Sequence, residues 1–305
     1  MGRYIAGRSA QSLVSLVVLV VLVFFMARLT GSPAELYLPP SATAEQVAQF
    51  NALHGFDDPT HLQFARFLAG LLRFDLGESL QYARPALDVV LGAFHTTLSL
   101  AAVAMPVILV LSVVTGSLAA WRPGGIFDRI ASLISLISAS TPNFWIAIVG
   151  VLVFAVFLRW LPTSGTGTPA HWVLPVLVLA LRPTGVLTQV VRTSMLEALS
   201  SAYVKTARAK GVKRSTIIFV HALRNALLPV ITVASDQVAG ILNGAVIVEV
   251  VFGFPGIGKL MIDSVMLRDF AVIQAAVLVI ALAIFTLNII VDIAYALIDP
   301  RIRHS

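Results

Sequence analysis

Apolar runs long enough to cross a bilayer recur six times along the chain, at residues 12–29, 96–120, 130–158, 172–191, 227–248 and 272–297. A helix needs about 20 mostly apolar residues to cover about 30 Å of hydrocarbon. The pattern therefore predicts an all-α chain of six spanning helices. The first run contains LVSLVVLVVLVFFMA and follows Arg3 and Arg8, as a secretion signal would. The following ARLTGSPAE has no clean small-x-small cleavage site, so the run reads as a retained anchor. The third run is overlong and contains Pro142, which predicts a tilt, a kink or a start at the interface. The longest polar stretch, residues 30–95, holds HLQFARFLAGLLRF. There Phe64, Phe67, Leu68, Leu71 and Leu72 recur at helical spacing. That is the pattern of an amphipathic helix lying on the bundle or the bilayer, or of a contact surface for an outside partner. No internal repeat or second-domain linker stands out.

Composition removes the main alternatives. Of 305 residues, 58% are hydrophobic and 12% charged, with a mean hydropathy of +0.92. Soluble domains run at roughly 45–50% apolar and about 25% charged. A soluble enzyme, a disordered chain and a coiled coil are excluded. The net charge of +6 reflects membrane topology rather than nucleic-acid binding, because the basic residues flank apolar runs. With the N-terminus in the cytoplasm, segments 1–11, 121–129, 192–226 and 298–305 fall inside and hold thirteen Lys/Arg. The two short outside loops then hold only Arg159, Lys259 and Arg268. This asymmetry predicts both termini inside and residues 30–95 outside. There is no cysteine, hence no disulfide, thiolate metal site or Cys nucleophile.

The longest inside segment, 192–226, contains Glu197-ALSSAYVKTARAKGVKRSTIIFVHALRNALLP, which runs on to Pro229. Tyr203 to Lys210 reads as a short helix, with small Ala207 and Ala209 beside Arg208 and Lys210. Gly211 permits a turn that a residue with a side chain would resist, and a helix resumes from Val212 to Leu223. Such a knob suits docking into a groove on another protein. A basic loop that merely obeys the positive-inside rule is the plainer alternative.

These residues carry a resemblance. TARAKG followed by HALRNALLP resembles the cytoplasmic coupling loop of ABC importer permeases, and more narrowly the dipeptide/oligopeptide/nickel permease family. Arg73-FDLGESL, Ser140-TPNFW, Leu161-PTSG, Gly244-AVIVEVVFGFPGIGKL and Asn288-IIVDIAYALIDPRIR resemble further motifs of that family, in order and over most of the chain. The general importer pattern is Glu-Ala-Ala, three residues, then Gly. Here Lys205, Thr206 and Ala207 take the first three places and Gly211 the last, so contacts made by the acidic residue elsewhere do not transfer. The resemblance implies a permease core over 96–305, in a cell (inner) membrane. It implies a heterodimer with a sister permease, two ATPase subunits carrying ATP and magnesium, and an external substrate-binding protein. It implies that this chain binds no cofactor and is itself no enzyme. Tyr203, Lys205, Thr206, Ala207, Arg208, Ala209, Lys210, Gly211, His221, Arg224 and Asn225 would form the ATPase-coupling loop, with His221 as a packing residue. The implied cargo is di- or oligopeptides. The alternatives are a nickel chelate, an opine or glutathione.

Polar groups inside apolar runs need a reason, because they are costly in hydrocarbon. Arg182 precedes Pro183 in the fourth run, and Asp236, Gln237 and Asn243 lie in the fifth. Arg182, Asp236 and Asn243 are candidates to line a translocation path, or to pair structurally. Asn288 and Asp292 share a helix face in the sixth run, where a structural role is favoured for Asp292. Gly253-FPGIGKL matches phosphate-loop spacing, but Leu260 stands where Ser or Thr would bind magnesium. Gly253, Pro255, Gly256 and Gly258 instead read as a gate-forming or re-entrant external turn before a helix from about Leu260. The six histidines are scattered and form neither a His-Glu-x-x-His nor a catalytic constellation, so no metal site or catalytic residue is expected. An ion-driven secondary transporter would find support only in Asp236.

Overall fold

The structure is a computed structural model that describes residues 2–29 and 31–298, apart from the side chains of 2–10, 12, 13, 228, 239 and 292–298. The chain divides into two compact units, residues 97–254 and residues 1–96 together with 255–305. In order, the helices are α1 (Gly2–Arg28), α2 (Ala34–Tyr37), α3 (Ala44–His54), α4 (Thr60–Leu71) and α5 (Ala86–Trp121). Then follow α6 (Ile126–Ser140), α7 (Asn143–Gly150), α8 (Ala170–Ser200), α9 (Ala202–Ala209), α10 (Arg214–Thr216), α11 (Leu223–Phe252), α12 (Ile257–Met266) and α13 (Phe270–Ile298). Two π-helical stretches, Val151–Phe157 and Ile217–Ala222, extend α7 and α10.

Three described helices are long and apolar enough to cross a membrane, and counting each of three bent helix pairs as one span brings the number to six; the apolar part of α1 among the described residues, Val14–Arg28, is shorter than a full span and is not one of these six, unlike the expected run 12–29. Inside such helices the backbone must satisfy itself, because lipid offers no hydrogen bonds. Hydroxyls follow the same rule: Ser112 and Thr115 donate to the carbonyls of Ile108 and Leu111, at 2.6 Å each. The kink expected at Pro142 is a 107° break between α6 and the α7 segment. The apolar run 130–158 is therefore not one straight span. Proline at 142 leaves its predecessor extended, and Thr141 has φ −86°, ψ 132°.

In the 97–254 unit, α8 is the central helix, packed against α6, α7 and α11. Its face of Leu174, Leu179, Leu187, Val191 and Met195 is buried with Ile218, Ala222 and Ala226. Small residues allow the closest approaches: a Cβ on Gly116 would sit 2.6 Å from the Val191 Cβ, and one on Gly185 2.6 Å from the Ser135 carbonyl oxygen. Buried Asp128, in the first turn of α6, receives the Arg192 guanidinium fork from α8, with Nη2 to Oδ2 at 2.8 Å. Asp128 Oδ2 also accepts from the Gly124 amide, which fixes the α5–α6 turn. Buried Glu249 accepts from Thr97 Oγ1 at 2.5 Å.

In the other unit, α1 and α12 pack on α13. The amphipathic helix expected near 61–74 is α4, and its Phe64 and Phe67 rings lie 4.9 and 5.5 Å from that of Phe24 on α1. Helix α3 opens with a reciprocal cap, Thr43 Oγ1 accepting from Gln46 N and Gln46 Oε1 from Thr43 N.

Candidate functional site

The loop between α8 and α11 forms the knob that the sequence predicts. Extended Ser201 ends α8 and starts α9. Helix α9 closes with a left-handed turn at Gly211, φ +74°. Two hydrogen bonds define that turn, Gly211 N to Arg208 O at 3.0 Å and Val212 N to Ala207 O at 3.2 Å. This pairing satisfies carbonyls that the helix end would otherwise orphan, and the left-handed residue in it favours glycine. Beyond its two chain neighbours, no described atom lies within 4 Å of a Cβ built on Gly211, so among the described residues backbone conformation alone demands the glycine.

Within the knob, Val204 is buried and anchors α9, while Ala207 is half-buried. Tyr203, Lys205, Thr206, Arg208, Ala209 and Lys210 face outward. Arg224 and Asn225 are exposed at the start of α11. His221, expected to pack, is exposed instead: the π-helical stretch Ile217–Ala222 turns Ile217, Ile218 and Ala222 inward and leaves His221 outside with Phe219 and Val220. Arg214, not singled out by spacing, holds the knob in place. Its Nη2 donates to the Trp121 carbonyl at the C-terminal end of α5 (2.6 Å), and its guanidinium sits 5.8 Å from the Trp121 ring. Phe219 meets the same ring edge-on at 6.2 Å. Cation and last-turn carbonyl are a favourable match for the helix dipole. The result is a basic helix–turn segment with exposed aromatic and aliphatic side chains.

Arg182, Asp236 and Asn243 come together around a second feature, a cleft of about 700 Å³ between α7, α8 and α11. All three are exposed, and among the described residues no hydrogen bond or ion pair joins Arg182 to Asp236. Gln237 also lines the cleft, with Asn143, whose buried Oδ1 has no partner among the described residues. Asn143 follows Pro142 at the 107° break, so the kink presents this amide to the cleft. Its sequence signal was a polar residue opening an apolar helix. On α13, Asn288 is exposed, while the side chain of Asp292 and residues 299–305 of the tail lie outside the described residues.

The glycine-rich turn resolves differently from its nucleotide-binding look-alike. Gly253 (φ +65°) ends α11, exposed Pro255 follows, and buried Gly256 caps α12. Helix α12 begins at Ile257, three residues before the expected start, and includes buried Gly258. The segment before the turn is a helix, where a phosphate loop needs a strand, and Lys259 pairs with Asp263 along α12.

Comparison with known proteins gives this arrangement its class. The family described as "Binding-protein-dependent transport system inner membrane component" matches residues 112–304. The oligopeptide transport system permease protein AppB of Bacillus subtilis (strain 168) is 35% identical over 316 aligned positions, covering 100% of both chains. The glutathione transport system permease protein GsiC of Salmonella paratyphi A is 37% identical, again over 100% of both. A solved amino acid ABC transporter chain aligns with a TM-score of 0.54 at 16% identity, covering 68% of this chain and 94% of that one, which establishes likeness of fold. The chain belongs to this family, the membrane permease components of binding-protein-dependent ABC importers.

Proposed function

We propose that the chain is one of two permeases that together form the path for di- or oligopeptides in an ATP-driven importer. The observation that carries this reading is end-to-end likeness to a peptide permease, 35% identity with full coverage of both chains. In this reading the α9–Gly211 knob docks on an ATPase subunit in the cytoplasm, which holds ATP and magnesium, and an external binding protein delivers the cargo. Closure of the ATPases moves the docked knobs and tips the permease pair between inward and outward access. The chain supplies the bistable element and the path, and hydrolysis takes place on its partners. Arg182, Asp236 and Asn243 offer a peptide a cation, an anion and an amide within one cleft. That set fits a zwitterion with amide groups better than it fits an apolar cargo.

Glutathione is the second reading, supported by the 37% identity to a glutathione permease. The deciding experiment is uptake by the reconstituted complex, comparing di- and tripeptides, glutathione and nickel chelates. ATP-dependent uptake of peptides is expected. Uptake of glutathione or a nickel chelate alone would replace the peptide reading, and peptide uptake driven by an ion gradient without ATP would overturn the mechanism.

A further inference from the structure

A cavity of about 660 Å³ opens in the unit formed by residues 1–96 and 255–305, well apart in sequence from the residues of the cleft described above. Part of its wall is aromatic. The rings of Tyr37 and Phe50 stack at 6.5 Å, Phe50 and Phe56 lie 6.3 Å apart, and Phe56 meets Phe270 edge-on at 5.8 Å. Two buried polar atoms on the wall have no partner among the described residues: the Tyr37 hydroxyl and Gln274 Nε2. Gln274 is only 5% exposed, so its amide N–H groups lack both protein acceptors and open solvent. A buried donor left unmet costs about 1–3 kcal/mol, and such a group wants an acceptor from outside the chain.

Asp269 adds a charge. It is 1% exposed and lines the same cavity. Its Oδ2 accepts from Ser79 Oγ (2.5 Å) and the Gln81 amide (3.2 Å), and its Oδ1 from the Val272 amide in the first turn of α13 (3.3 Å). A carboxylate offers about four acceptor sites, so one remains. No cation pairs with it among the described residues: neighbouring Arg268 turns away to Glu35 and the Ser32 carbonyl. Arg28 is committed to Gln63 and the Phe24 carbonyl, and Arg66 to Asp58. Burial, and then the charge of Asp269, push the Tyr37 phenol up to about 12, so it stays a neutral donor. The wall thus combines an uncompensated carboxylate, aromatic rings of Tyr37, Phe50 and Phe56 that attract a cation, the Phe270 ring already carrying the Arg28 guanidinium at 5.6 Å, and an amide donor in need of an acceptor.

One common chemical group meets all three demands at once, an ammonium two bonds from a carbonyl. We propose that this cavity binds a free α-amino-acyl end, its ammonium held by Asp269 and the aromatic wall and its first carbonyl by Gln274 Nε2. Two sources carry that group, a cargo peptide and the amino terminus of a partner polypeptide. The cargo source rests on the peptide reading above.

The test uses the assembled transporter in lipid nanodiscs. A tripeptide with a benzophenone side chain at its second residue is photolysed on it, with the amino end either free or acetylated, and the cross-linked residues are mapped by mass spectrometry. The free-amino probe is expected to label segments 50–56 and 76–80. Acetylation should cut that labelling at least tenfold, and Asp269→Asn and Gln274→Leu should each cut it roughly 5- to 10-fold at sub-saturating probe. Labelling confined to α7, α8 and α11, equal labelling by the acetylated probe, or wild-type labelling in both variants would overturn the proposal. Competition by an unlabelled dipeptide assigns the site to cargo. Competition only by a binding protein with an unmodified amino terminus assigns it to the partner, and competition by neither overturns it. Uptake measured on the same preparations separates the two readings. Peptide uptake with an unlabelled cavity removes this inference alone, whereas a labelled cavity without peptide uptake removes the cargo reading and keeps the site.

Discussion

Replacing Gly211 by valine tests the knob at its least tolerant point. Gly211 holds φ +74°, and apart from its own and its two neighbours' atoms no described atom lies within 4 Å of a prospective Cβ. The side chain therefore meets no clash within the chain, and the penalty is conformational, about 1–2 kcal/mol for an L residue in the left-handed region. A β-branched residue falls at the upper end. About 2 kcal/mol is roughly a 30-fold shift away from the native turn. Without that turn, the bonds from Gly211 N to Arg208 O and Val212 N to Ala207 O are lost, and α9 frays at its exposed end. The spans do not depend on the turn, so Gly211→Val is expected to insert and to pair with the sister permease normally. ATPase co-purification should weaken, or ATP hydrolysis should separate from uptake. Asparagine tolerates the left-handed region, so a graded series follows: Gly211→Asn near wild type, Gly211→Ala intermediate, Gly211→Val worst. If instead the glycine is needed because a partner's backbone presses on it, asparagine will be as damaging as valine. Transport and substrate-stimulated ATP hydrolysis, measured side by side on purified complex, are the readouts. Wild-type values of both in Gly211→Val would refute the docking assignment.

Three further outcomes rest on the same structure. Asp128→Ala strands the Arg192 guanidinium, which is a quarter exposed, and should cost about 3 kcal/mol; a thermal-stability assay in detergent should show the loss, with much of it absent from Asp128→Ala combined with Arg192→Met. Gly116→Val forces α5 off α8, because its Cβ would meet the Val191 Cβ at 2.6 Å and the Thr188 carbonyl at 2.8 Å; overpacking of about 1–3 kcal/mol should lower the yield of monodisperse protein, which Gly211→Val should not. Arg182→Ala and Asp236→Ala should each assemble yet slow peptide uptake, since the two line one cleft without pairing; wild-type rates for every peptide in both variants would remove the path role, and rescue of failed assembly in the double variant would make them a structural pair.

What the sequence discloses here follows the range of each interaction. Apolar runs are legible because lipid imposes a length on every span whatever its neighbours are. Gly211 is legible for a similar reason: the left-handed turn is a property of a few consecutive residues, and glycine between a basic helix and Val212-Lys-Arg announces it. The 107° break was only half visible. Pro142 marked its place, but hydropathy merged α6 with α7 although α6 buries Asp128, Ser135 and Ser138 on one face and exposes Ile130, Leu133 and Ile137 on another. The pairings between helices were not visible at all. Asp128 meets Arg192 across 64 positions, and Gly116 and Gly185 look like any helical glycine until another helix presses on them. The cause is physical: a lipid-embedded helix gains little from burying one apolar face rather than another, so small residues and a few polar pairs choose the contacts. Those choices depend on register between distant segments. The same limit separates the two sites. The polar residues of the cleft stand out singly in apolar runs, as Arg182 and Asp236 do. The demand on Gln274 and Asp269 arises only when Tyr37, Ser79 and the ring of Phe56 close around them, and each of those residues looks ordinary in its own stretch of chain.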